Sequence, residues 1–176
     1  MKRVLSMICA VAICLGMAGC GANKPVGDDP TAVYLDGEKV ISLGMTRDEI
    51  EAVLEPDHSL NKIFPQEEDF GEIRYKNDIS IRYTDNIANL ITLVLSEEEN
   101  KQYSDFLGIS LGMDYDKAKK KISKQFVNEK EDAFNIKFDE EGKMISKDEK
   151  TKKIAMMLSY MKNDYNEIGY IFYFNF

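Results

Sequence analysis

Ile41-Ser42-Leu43-Gly44-Met45 recurs as Ile109-Ser110-Leu111-Gly112-Met113, and Asp48 beyond the first stretch is matched by Asp116 beyond the second. The offset is 68 residues throughout. Fixed-period identity marks a duplicated unit, because a repeat dictates how the chain divides before any element is assigned. Residues 31–108 and 109–176 are therefore read as two tandem copies. The motif itself has the makings of a strand-to-helix corner. Thr46 can cap a helix, with Glu49 three residues on completing a capping box, and Asp114 takes the cap position in the second copy. Gly44 and Gly112 suit backbone angles that a side chain forbids. Ile50, Val53 and Leu54 share one helical face, as do Tyr115, Ala118, Ile122 and Phe126. Glu55-Pro56 ends the first helix, since a residue before proline avoids the α region.

Alternating strands follow each helix. Ile73 and Tyr75 alternate with Glu72 and Arg74, and Ile79, Ile81 and Tyr83 alternate with Ser80 and Arg82, before a strand over Ile87 to Leu95. In the second copy the strands run through Phe134-Ile136-Phe138, Ile154 to Tyr160 and Ile168 to Phe176. Period-two patterns with short turns predict antiparallel meanders. The expected class is α+β, with helices packed on one face of small antiparallel sheets. In that arrangement Phe172, Phe174 and Phe176 lie under the helices. Ile171 and Tyr173 then point to the open face, beside Arg74, Arg82 and Met157. These five form the expected partner-binding set, because Tyr and Arg are enriched at binding hot spots.

Leu43-Gly44-Met45-Thr46-Arg47-Asp48-Glu49-Ile50-Glu51-Ala52-Val53-Leu54-Glu55-Pro56 resembles the opening motif of the β-lactamase inhibitor protein (BLIP)-like and BamE-like domains. Those begin with a Gly-hydrophobic-Ser/Thr corner, a helix and a Leu-Gly-x-Pro-like exit. Here Glu55 replaces the exit glycine, and the second copy, at Ile122-Ser123-Lys124-Gln125, lacks the proline. The resemblance spans most of residues 41–176 and implies a helical layer on each sheet. It also implies protein binding through a concave sheet surface, in a tandem arrangement closer to the inhibitor than to the assembly lipoproteins.

The N-terminus bears on location. Lys2-Arg3, an apolar run from Val4 to Met17 and Met17-Ala18-Gly19-Cys20 form a basic start, a hydrophobic region and a small-residue cleavage site, the pattern of a secretory signal over residues 1–19. The run is too short to span a bilayer. Met17-Ala18-Gly19-Cys20 resembles a lipobox, which implies cleavage before Cys20 and attachment of lipid there. Two acyl chains would anchor the mature protein durably. The expected location is extracytoplasmic, on the cell membrane or, in a Gram-negative host, the outer membrane. Cys9 and Cys14 leave with the signal, so no internal disulfide is possible. Residues 20–30, rich in Gly, Pro and Asp, read as a lipidated, flexible tether.

Removal of residues 1–19 leaves 157 residues with 21 basic and 31 acidic side chains, a net charge near −10. Such a chain repels phosphate backbones and argues against nucleic acid as a partner, and against adhesion to anionic headgroups. His58 is the single histidine; it reads as a loop residue, and no Gly-x-Ser-x-Gly motif accompanies it. Glu67-Glu68-Asp69 and Glu97-Glu98-Glu99 are solvated runs. Asp139-Glu140-Glu141-Gly142 lacks calcium-loop spacing and reads as a hairpin turn. No nucleotide or metal motif is present, so no cofactor is expected. The expected function is non-catalytic binding of an envelope protein or peptide through an open sheet face. The alternatives are an inhibitor or regulator of an envelope hydrolase, and a structural subunit of an envelope assembly.

Overall fold

The structure, a computed structural model, describes residues 26–56, 72–75, 78–96 and 103–176. The signal segment, Cys20 and His58 lie outside them, as do both solvated acidic runs.

The chain is built mainly from strands, and the expectation of an α+β fold with a helical layer is overturned. The first hairpin, β1 (Ala32–Leu35) and β2 (Glu38–Ser42), turns on Asp36-Gly37, both at positive φ, the two-residue geometry that suits the twist of antiparallel strands. The first corner leads into α1 (Arg47–Glu51). Then come β3 (Glu72–Tyr75), β4 (Ile79–Thr84) and β5 (Ile87–Val94). β6 (Tyr103–Ser104) closes the first copy, and the second contributes α2 (Tyr115–Lys120), β7 (Asn128–Lys130), β8 (Ala133–Phe138), β9 (Met144–Ile145), β10 (Met156–Lys162) and β11 (Ile168–Asn175).

Both helices are properly capped. Thr46 Oγ1 accepts from Glu49 N at 3.3 Å while the Glu49 carboxylate accepts from Thr46 N at 2.8 Å, and Asp114 Oδ1 accepts from Lys117 N at 2.8 Å. They are nevertheless only five and six residues long. At ~1.5 Å rise per residue, each is under ~10 Å long and cannot roof a sheet. Of their side chains, Ile50 in α1 and Tyr115 and Ala118 in α2 are buried, while Val53 just beyond α1 is exposed.

The larger sheet has eight strands, in the order β3-β4-β5-β11-β10-β8-β7, with β9 also pairing β8. It is continuous across the two copies because β5 and β11 pair antiparallel. A three-stranded sheet, β2-β1-β6, forms the second layer with the two corners. Residues from both sheets make one core, in which the Phe134 ring stacks on Tyr160 at 4.6 Å and meets Tyr115 edge-on at 5.3 Å, and Phe106 of the small layer meets Phe138 edge-on at 5.9 Å.

The two corners make matching bonds. Gly44 N donates to Ala88 O and Gly112 N to Ile168 O, each at 2.9 Å; Ala88 N returns to Met45 O and Ile168 N to Met113 O. Arg47 N and Tyr115 N donate to Asn86 O and Asn166 O. Each corner is thus clamped to the start of its copy's last strand, and both corner glycines sit at positive φ, 86° and 74°. Ala88 accordingly corresponds to Ile168, and Thr92 to Phe172. Those two residues pair directly in the sheet, flanked by Leu90 with Phe174 and Val94 with Tyr170. A pseudo-dyad therefore passes through the Thr92–Phe172 pair.

Val26 to Pro30, expected within the tether, are bonded to the fold. Val26 N donates to Phe106 O at 2.8 Å, Asp29 Oδ1 accepts from Thr31 N at 2.9 Å, and the other Asp29 oxygen pairs Lys39 at 2.6 Å. Hydrogen bonds to Lys39 and Thr31 hold the Asp29 carboxyl below its ordinary range against partial burial.

Candidate binding face

Strand alternation divides the large sheet into two faces, and the corners decide which one is inside. Clamping to the corner buries Ala88 and Ile168 completely. One residue later each strand carries a β-bulge. Asn89 is unpaired between Ala88↔Tyr83 and Leu90↔Arg82, and Gly169 between Ile168↔Lys162 and Tyr170↔Met161. An extra residue inverts the alternation beyond it. Ile91 and Leu93 in β5, and Ile171 and Tyr173 in β11, consequently point inward with no exposure.

This corrects two of the expected site residues. Ile171 and Tyr173 belong to the core and cannot meet a partner; Tyr170, Phe172 and Phe174 hold the outer face instead. Arg74, Arg82 and Met157 do lie on that face. Arg82 and Met157 share one cross-strand row, Arg82–Leu90–Phe174–Met157–Lys137. Arg74 stands in the next, Arg74–Ser80–Thr92–Phe172–Ser159–Asn135. A third row joins Val94, Tyr170, Met161 and Ala133.

The middle of this face is an aromatic ladder. Tyr170 and Phe172 stack at 6.0 Å between ring centroids, 13° between planes; Phe172 and Phe174 stack at 5.9 Å and 21°. Tyr170 and Met161 are each 39% exposed and Phe176 is 70% exposed. No described strand or helix crosses the ladder. Isolated apolar residues on a surface need no account, but a contiguous apolar strip does. Leu90 and Val94 extend it on one side and Met157 and Met161 on the other.

Charge is unevenly distributed around it. Residues 103–176 hold 13 lysines and 13 carboxylates, so the chain's net charge of −8 resides wholly in residues 1–102. At the β7–β8–β10 end of the open face lies a wide cleft of about 1060 Å³. Asn135, Lys137 and Met157 floor it; Lys119, Lys124 and Lys130 are among its walls. Gln125 O accepts from Lys147 N at 2.7 Å, tying two walls together.

The interior also holds polar groups. Asp105 is fully buried, accepts from Ile109 N at 2.8 Å and receives the Tyr160 hydroxyl. Burial pushes its carboxyl up to about 6, against the lowering by those hydrogen bonds and by Lys121, whose ammonium bonds Gly108 O at 2.8 Å. Tyr173 is also fully buried, and its hydroxyl has no hydrogen-bond partner among the described residues. Asp105 shapes the Asp105–Ile109 turn: its backbone N donates to Ile109 O, and Gly108 N returns to Asp105 O. Among the described residues no three His, Cys, Asp or Glu side chains group to hold a metal ion. The Asp139 turn is a hairpin, with Asp139 Oδ1 accepting from Lys143 N at 2.9 Å and Oδ2 pairing Lys152 at 3.1 Å.

No protein-family model, curated protein or solved structure matches this chain.

Proposed function

We propose that this chain is a lipid-anchored envelope protein that binds a protein or peptide partner, without catalysis, on the open face of its eight-stranded sheet. The observation that carries the reading is the stacked Tyr170-Phe172-Phe174 ladder at the centre of a face that no described element covers. An aromatic strip in contact with water is costly unless something uses it, at ~25 cal/mol per Å² of apolar surface. Aromatic side chains flanked by arginine are the composition of interface hot spots. The basic start, apolar run and Cys20 of the leader support export and lipid attachment. The resemblance of residues 43–56 to BLIP-like and BamE-like openings points to protein binding as well.

Two measurements test it. The intact mass of the mature chain should start at Cys20 and carry diacylglycerol; an unmodified Cys20 removes the anchor from the proposal. Copurification from solubilised envelopes should lose a stoichiometric partner when Phe172 and Phe174 are both changed to Ser. Retention of the same partner by a folded double variant would remove the face.

A further inference from the structure

The geometry points to an acidic peptide segment as the occupant of the open face, with an apolar side chain on the Phe172–Phe174 ladder and carboxylates in the adjoining lysine cleft. This rests on the reading of that face as a binding surface and adds the chemistry of the partner. Two observations carry it. First, the cleft concentrates positive charge in a chain that is acidic as a whole. Lys120, Lys124, Lys130, Lys137 and Lys147 line it, and none of them is in an ion pair among the described residues; Lys119 alone is paired, with Glu129 at 2.6 Å and Asp116 at 3.7 Å. The carboxylates of the lining, Glu129 and Asp148, are too few to neutralise six lysines. Unpaired like charges gathered in one concavity raise the potential there and favour an anionic visitor.

Second, the cleft runs into the ladder without a break. Met157 belongs to the cleft lining and is the direct cross-strand neighbour of Phe174, while Lys137 pairs with Met157 on its other side. Lys137 therefore stands two strands from Phe174, roughly 10 Å at the ~4.8 Å strand spacing. An extended peptide crossing that gap at ~3.3 Å per residue, with every second side chain facing the sheet, places an acidic side chain two or four positions from an apolar one.

A peptide suits this site better than an anionic bilayer. The lysines line a concavity, which admits a chain and holds a flat headgroup plane away. The strongly acidic first half shares the same sheet, and its charge opposes close approach to an anionic surface.

Selection from a displayed library of random twelve-residue peptides on the detergent-solubilised mature chain tests the inference. The enriched set should combine Asp or Glu with an aromatic or large aliphatic residue two or four positions away. A synthetic member should bind at least tenfold more tightly than its Glu→Gln counterpart, and weaken steeply between 50 and 300 mM NaCl. The folded Lys124→Glu/Lys137→Glu variant should lose at least tenfold affinity for it. No enrichment, enrichment of neutral or basic sequences, or an unchanged affinity in the variant each overturns the inference. So does lysine-dependent retention of the chain lacking its lipid on phosphatidylglycerol vesicles, which would assign the cleft to a membrane. If the lysine variant keeps the partner that the Phe172/Phe174 variant loses, the face stands and the acidic occupant falls.

Discussion

A carboxyl group with no contact to solvent has to be neutral or compensated, and Asp105 is only partly compensated. Tyr160 and the Ile109 N–H bond to it and Lys121 is nearby, yet burial still raises its carboxyl from the ordinary 3.8 to about 6. The folded state thus holds a proton more tightly than the unfolded chain does. Its contribution to stability is complete below pH ~4 and is lost as pH rises through about 6, and a rise of about two pH units corresponds to about 3 kcal/mol. Asp105→Asn keeps an acceptor for the Ile109 N–H and removes the titration. In urea melts between pH 4 and 7.5, wild type should lose about 3 kcal/mol more than this variant. Equal slopes would mean Asp105 is not the titrating group. The corner glycines give a second residue-scale prediction. An added Cβ at Gly44 meets nothing within 4 Å and one at Gly112 only Leu95 at 3.8 Å, so an alanine costs backbone conformation and not space. Gly44→Ala and Gly112→Ala should each destabilise by about 1–2 kcal/mol, the penalty of a left-handed L-residue. Similar losses in denaturant unfolding are expected, because the two corners make the same bonds.

At the scale of elements, the bulges at Asn89 and Gly169 decide what faces water. Deleting Gly169 would force a choice between the corner's clamp on Ile168 and the inward placement of Ile171 and Tyr173. The deletion should abolish cooperative thermal unfolding, whereas Tyr170→Ser on the outer side should leave the melting temperature nearly unchanged. This is also where the sequence was legible and where it was not. The strands in both copies follow their period-two patterns, and the caps at Thr46 and Asp114 follow from residue type and spacing. Alternation alone cannot say which stripe is inside, and it breaks without notice at a bulge. Ile168, Tyr170 and Phe172 look like one stripe, yet Gly169 separates Ile168 from the rest. A lone glycine within a strand pattern is the available signal for such a bulge; Asn89 offers none. The helical layer failed for a different reason. Amphipathic spacing over Tyr115 to Phe126 is real, but the helix stops at Lys120 and the chain continues through turns, with Ile122 and Val127 still reaching the core. The Asp36-Gly37 hairpin, which supplies the true second layer, was open to recognition from its dipeptide.

At the scale of the whole molecule, duplication and charge combine. The repeated pentapeptide marks two units whose last strands meet at Thr92–Phe172, so one continuous face exists where the first copy alone would offer three strands and the second five. The copies have diverged on that face: the dyad sets Thr92 against Phe172, and Val94 of one copy corresponds to Phe174 of the other. The ladder and the lysine cleft both belong to the second copy, while the excess negative charge belongs to the first. Net charge, summed over the chain, hides this polarity.

The most direct measurement is site-specific photo-crosslinking in living cells, with benzoylphenylalanine placed in turn at Phe172, Phe174, Ile171 and, on the small sheet, Glu38. Discrete adducts of one size are expected from Phe172 and Phe174 in folded protein and from neither Ile171 nor Glu38. Adducts from Glu38 with none from the ladder would contradict the assignment of the open face.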